Sequence, residues 1–217
     1  MAASWGRMFL AALAIAVFAL AQAAGEDNAF MPKGGRALLL DMLGASPDQT
    51  ELRAIVQARR TEPQWRDFVA ARKKALTERE LATLAAYLAV NMPMSDDAVK
   101  GGNLASALPP DGRELAWNGC QNCHSLFAGY LMQDREVQGW RNMFLSPFHR
   151  ELKMSPQERE EFARYSNLNM PMKIDDVPQD DARRVEFNRL HVWSTRIEGS
   201  VLVLGLALLF LTARRMT

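Results

Sequence analysis

Cysteine and histidine are almost missing from this chain: two cysteines and three histidines occur among 217 residues. A zinc site built on Cys120 and Cys123 would need a second Cys/His pair, and His149 and His191 are not spaced as one. A thioredoxin-like dithiol would need a βαβ pattern around the cysteines, and no convincing strand pattern occurs. Neither sign of charge is in excess, with 26 Lys and Arg against 25 Asp and Glu. A near-neutral chain gives no support to nucleic-acid binding. No Ser/His/Asp arrangement, glycine-rich phosphate loop or paired-carboxylate motif stands out, so nothing points to an enzyme.

Set against these absences, Cys120-Gln121-Asn122-Cys123-His124 is the most informative stretch. C-x-x-C-H is the attachment signature of c-type haem. Two thiols add to the two porphyrin vinyl groups and become thioethers. Their spacing puts both sulfurs on one side of a short helical turn, and His124 falls under the iron as the proximal axial ligand. One covalent haem c is therefore the expected cofactor.

Both ends of the chain are apolar. Residues 1–23 read as a secretory signal, with Arg7, a charge-free run from Met8 to Leu20, and Ala21-Gln22-Ala23 as the cleavage site. Near the other end, Val201 to Ala213 carries no charge and is followed at once by Arg214 and Arg215. Ile197 extends the run, so residues 197–213 are expected to form a transmembrane anchor after a connecting segment at 179–196. Trp193 and Arg196 suit one interface, and the arginine pair suits the other. The positive-inside rule puts that pair in the cytoplasm. The remainder would then lie in the periplasm, held to a bacterial inner membrane.

The middle of the chain repeats itself. Tyr87 is followed at Asn91 by Asn-Met-Pro-Met, and Tyr165 is followed at Asn169 by the same tetrapeptide. Thr77-x-x-Glu80 matches Ser155-x-x-Glu158, and both are capping boxes. Gln64-Trp65-Arg66-Asp67-Phe68 resembles the stretch from Gly139 to Phe144, and Gly35-Arg36-Ala37-Leu38 resembles Gly112-Arg113-Glu114-Leu115. Four matches in one order indicate a duplication. Gly101-Gly102 and Pro109-Pro110 mark residues 99–111 as a linker. Apolar spacing at Leu81, Leu84, Ala85 and Leu88 predicts a helix there.

The second copy resembles a class I cytochrome c domain over residues 112–172, in Gly112-Arg113, Gly119 to Leu126, Trp140 and the helix from Ser155 to Tyr165. The resemblance implies an all-α fold of two tandem cytochrome c-like helical domains. The first, residues 33–98, has neither cysteine nor histidine and would hold no covalent haem. The second, residues 112–178, would bind it. The resemblance also implies a sixth iron ligand, a methionine or less often a histidine. Met170 and Met172 are the obvious choices, but their tetrapeptide also stands in the first copy and so suits a core role. His149 lies six residues before Ser155 and is the only other histidine of its copy. Met154 and Met143 are further alternatives.

The expected function is electron transfer by a membrane-anchored periplasmic carrier. Its partners would be redox proteins of the respiratory chain or a periplasmic dehydrogenase. The alternatives are a haem-based sensor of small gases and an obligate cytochrome subunit of a larger complex.

Overall fold

The computed structural model describes residues 28–44, 47–72, 76–100, 103–120, 126–177 and 182–216. The expected leader at 1–23 lies outside them. The described chain is mostly helical, with no strand among the described residues. It divides into two compact units, residues 1–177 and 178–217.

The first unit is built from two sets of helices that match in part. One set is α1 (Gly35–Leu43), α2 (Gln49–Gln57), α3 (Glu62–Ala70) and α4 (Glu78–Asn91). Two single-turn helices follow, α5 (Asp96–Val99) and α6 (Leu104–Ala107). The other set is α7 (Gly112–Cys120), α8 (Val137–Met143), the short α9 (Pro147–Arg150) and α10 (Pro156–Asn169). Helix α4 begins where its sequence dictates: the Thr77 hydroxyl accepts from the Glu80 N–H, and Glu80 accepts from the Thr77 N–H at 2.8 Å. Ser155 and Glu158 do the same for α10. Each box satisfies two of the N–H groups that a helix start leaves orphaned.

Helices α1 and α3 pack on α4, α7 and α8 pack on α10, and α4 packs on α10 at the centre. Leu38, Leu52, Trp65 and Leu84 belong to one buried cluster; Leu115, Trp140, Phe162 and Tyr165 belong to the other. At both crossings a glycine is required. A Cβ on Gly35 would lie 2.1 Å from Tyr87 Cβ, and one on Gly112 would lie 2.1 Å from Tyr165 Cβ. The Met92–Pro93 and Met170–Pro171 peptide bonds, just after α4 and α10, are both cis.

The halves were expected as tandem domains over 33–98 and 112–178, but they form one compact unit. The reason is an exchange of leading segments. Ahead of α1, Met31 is buried in the second cluster, and Phe30 stacks on Phe127 and meets the edge of Trp117. Ahead of α7, Val99, Leu104 and Leu108 are buried in the first cluster. Where it is described, the expected linker at 99–111 packs back: Val99, Leu104 and Leu108 join the first core and α6 contacts α2. The tyrosines fasten the exchange. Tyr165 donates to Pro32 O at 2.7 Å, and Tyr87 donates to Pro109 O at 2.8 Å.

Polar contacts at the centre follow the same plan. Asn91 Nδ2 donates to Glu161 Oε2 at 3.3 Å, and Asn169 Nδ2 donates to Thr83 Oγ1 at 3.1 Å. Asp111 spans two helix starts, accepting from Glu114 N–H at 3.1 Å and Ala37 N–H at 3.3 Å. Glu161 accepts from Gly112 N–H at 3.1 Å.

The second unit contains one long helix, α11 (Ala182–Met216), of 35 residues, or about 52 Å at the usual rise. Its stretch Val192–Thr212 is long and apolar enough to cross a membrane. The expected connecting segment at 179–196 belongs to this helix from Ala182 onward. No proline or glycine occurs between Ala182 and Glu198 to stop it.

Candidate functional site

Helix α7 carries Gly119 and Cys120 at its C-terminal end. Cys120 is half-buried and forms no disulfide. Cys123 and His124 lie outside the described residues, which resume at Leu126. Cys120 opens onto a crevice of about 280 Å³, lined also by Gly129, Tyr130, Gln133, Arg135, Trp140, Met143 and His149. Two short 3₁₀ turns, Leu126–Ala128 and Tyr130–Met132, bring the chain back along this wall.

Two of the lining residues, Tyr130 and Trp140, belong to an aromatic cluster. The Tyr130 ring meets Trp140 and Phe162 with centroids 5.4 and 5.5 Å away. Burial pushes the Tyr130 hydroxyl far above its ordinary value, so it stays neutral, and it hydrogen-bonds Ser166 Oγ at 2.9 Å. The Arg135 guanidinium sits 5.4 Å from the centroid of the Trp140 ring. Trp140 Nε1 is buried without a hydrogen-bond partner. Trp65 occupies the same place in the other half, under Arg60 at 4.8 Å, and its Nε1 is orphaned as well. The orphaned indole therefore comes with the fold, but only Trp140 lines a crevice that also holds a cysteine.

The sequence-derived ligand candidates separate cleanly. His149 and Met143 line the crevice with Cys120. His149 belongs to α9, whose N-cap is Ser146. The Ser146 hydroxyl accepts from the His149 N–H at 3.3 Å and lies 2.8 Å from His149 Nδ1. Met154 lines a second cavity of about 430 Å³ beside Gly119, Glu114, Glu151 and Lys153. It fills the space a Gly119 side chain would need, with its Cε 2.5 Å from that Cβ position.

Met170 and Met172 are each 6% exposed and belong to the second core. Met172 N–H donates to Leu131 O at 2.8 Å, as Met94 N–H donates to Val56 O at 2.8 Å in the half without cysteine. Neither methionine lines the Cys120 crevice.

A covalently attached haem needs cysteine thiols at the edge of a cleft with largely apolar walls. Cys120, Tyr130, Trp140 and Met143, which line the crevice together, are residues of that kind. The crevice volume is near the lower end of ligand pockets, about 300 Å³. Among the described residues no three His, Cys, Asp or Glu side chains converge as a metal site. Ser146 and Arg135 were missed in the sequence. Aligning the repeats shows Arg60 and Arg135 five residues before their tryptophans, and Ser146-Pro147 is a recognisable helix start. No protein-family model, curated protein or solved structure matches this chain.

Proposed function

We propose that the chain is a c-type cytochrome that passes single electrons between redox partners through one covalent haem. The observation that carries this reading is the placement of Cys120, first residue of the C-x-x-C-H motif, at the edge of a crevice walled by Tyr130, Trp140, Met143 and His149. When bound, haem supplies reversible one-electron chemistry at iron. The residues of this chain would do the rest. Cys120 and Cys123 tether the group, and His124 ligates it from the motif. Tyr130 and Trp140, which line the crevice, would limit water around the group and so favour its less charged reduced state. Helix α11 would hold the carrier to a bacterial inner membrane, with Arg214 and Arg215 on the cytoplasmic side and the haem in the periplasm. Partners would be membrane or periplasmic redox proteins of a respiratory chain or dehydrogenase.

The test is a pyridine haemochrome spectrum of the full chain, produced in a bacterium that matures c-type cytochromes. The expected result is the thioether-type spectrum, with haem that stays on the protein in acid acetone. Replacing Cys120 and Cys123 together with alanine should abolish both. Absence of covalent haem from the unmutated chain would end the reading.

A further inference from the structure

Resting on that haem reading, we propose that His149 is the second axial ligand, so that the iron is held by two histidines, and that Ser146 is the residue that positions it. Three observations point this way. His149 shares the crevice with Cys120, whereas Met154, Met170 and Met172 do not. The two late methionines are accounted for by the fold. Met172 bonds Leu131 O just as Met94 bonds Val56 O in the half that has no cysteine, so the arrangement persists where no haem can be tethered. Met143 does line the crevice, but it packs against the second core from the end of α8.

His149 instead stands on its own single-turn helix. One serine hydroxyl both caps that helix and engages the imidazole, at Nδ1. A histidine ligand is commonly oriented in this way, by a hydrogen bond on the nitrogen away from the metal, which here assigns Nε2 to the iron. The first half has no histidine and no serine at the equivalent place, where its chain runs from Val69 to Leu76.

The experiment uses the haem-loaded full chain in detergent. Near-infrared and EPR spectra of the oxidised protein should show two imidazoles and no methionine-sulfur-to-iron band. His149→Ala should lose the low-spin signature, gain rapid CO binding in the ferrous form, and recover the original spectrum on adding free imidazole. That recovery shows that the variant is folded. Ser146→Ala should keep full haem content but shift the midpoint potential and the EPR g-values, and Ser146→Thr should restore both. A methionine–iron band in the unmutated protein, or an unchanged low-spin spectrum in His149→Ala, overturns the proposal. Covalent haem present with either of those results leaves the haem reading standing, whereas no covalent haem removes both.

Discussion

Gly112 lies so close to Tyr165 that a Cβ on the glycine would sit 2.1 Å from Cβ of the tyrosine. That atom is fixed to the α10 backbone, so no rotamer change relieves the overlap. Gly112→Ala should therefore push α7 away from α10 and cost about 3 kcal/mol, the upper end of ordinary overpacking. Gly35→Ala, against Tyr87, should cost about as much. Gly205→Ala in α11 meets nothing within 4 Å and should be neutral. Thermal unfolding followed by circular dichroism separates the three.

The buried Glu161 carboxyl makes stability fall on the alkaline side. Burial first, and the charge of nearby Asp111 second, push it from 4.5 up to about 8, against weaker pulls from the Gly112 N–H, Arg164 and Asn91. Asp111 is raised too, by burial, although it sits at two helix starts. A raised acid leaves its stabilisation complete below the unfolded value of 4.5 and loses it as pH climbs through about 8. At about 1.36 kcal/mol per unit, the loss is on the order of a few kcal/mol. Urea unfolding at about pH 5 and about pH 9 should show it. Glu161→Gln, which keeps an acceptor for Gly112, should flatten the profile.

The two orphaned indoles predict different outcomes from one substitution. Trp65→Phe removes a buried unpaired donor worth about 1–3 kcal/mol and opens a small void of about the same cost. Stability should change little. Trp140→Phe makes the same exchange in the crevice wall, and in the haem-loaded protein it should also shift the midpoint potential. Parallel potentiometric titrations test this: equal potentials in both variants would show that Trp140 Nε1 does not reach the haem.

Deleting residues 178–217 removes the unit that contains α11. The shortened chain should move from the membrane fraction to the soluble one and keep the helical signal of its first unit. A pellet-and-supernatant assay after cell breakage reads the result. Retention in the membrane would point to a second attachment.

Local chemistry explains which parts of this architecture were readable. The capping boxes at Thr77 and Ser155, the apolar stripe of α4 and the repeated Asn-Met-Pro-Met all act within a few residues, so sequence pattern carries them. The exchange of leading segments does not. Val99, Leu104 and Leu108 look like scattered apolar residues between a glycine pair and a proline pair, and only the cavity they fill gives them meaning. Phe30 finds Trp117 and Phe127 about ninety residues on, a distance that no periodicity encodes. The crevice shows the same limit. Cys120 was evident, but that His149 lines its crevice while Met170 is buried in the second core depends on long-range packing.

Pro32 takes its hydroxyl partner from Tyr165, 133 residues further along the chain. The opening segment therefore finds its partners only once α10 is made, whereas the first core closes within residues 38–108. Likewise α7 starts from a segment seated in the earlier core. An excised second half would lose the contacts that Phe30 and Met31 make beside α7. Removing residues 33–98 would leave Phe30 and Met31 but take away α4, on which α10 packs, so it would also disturb the half that carries Cys120. Each half thus carries a piece of the other's core.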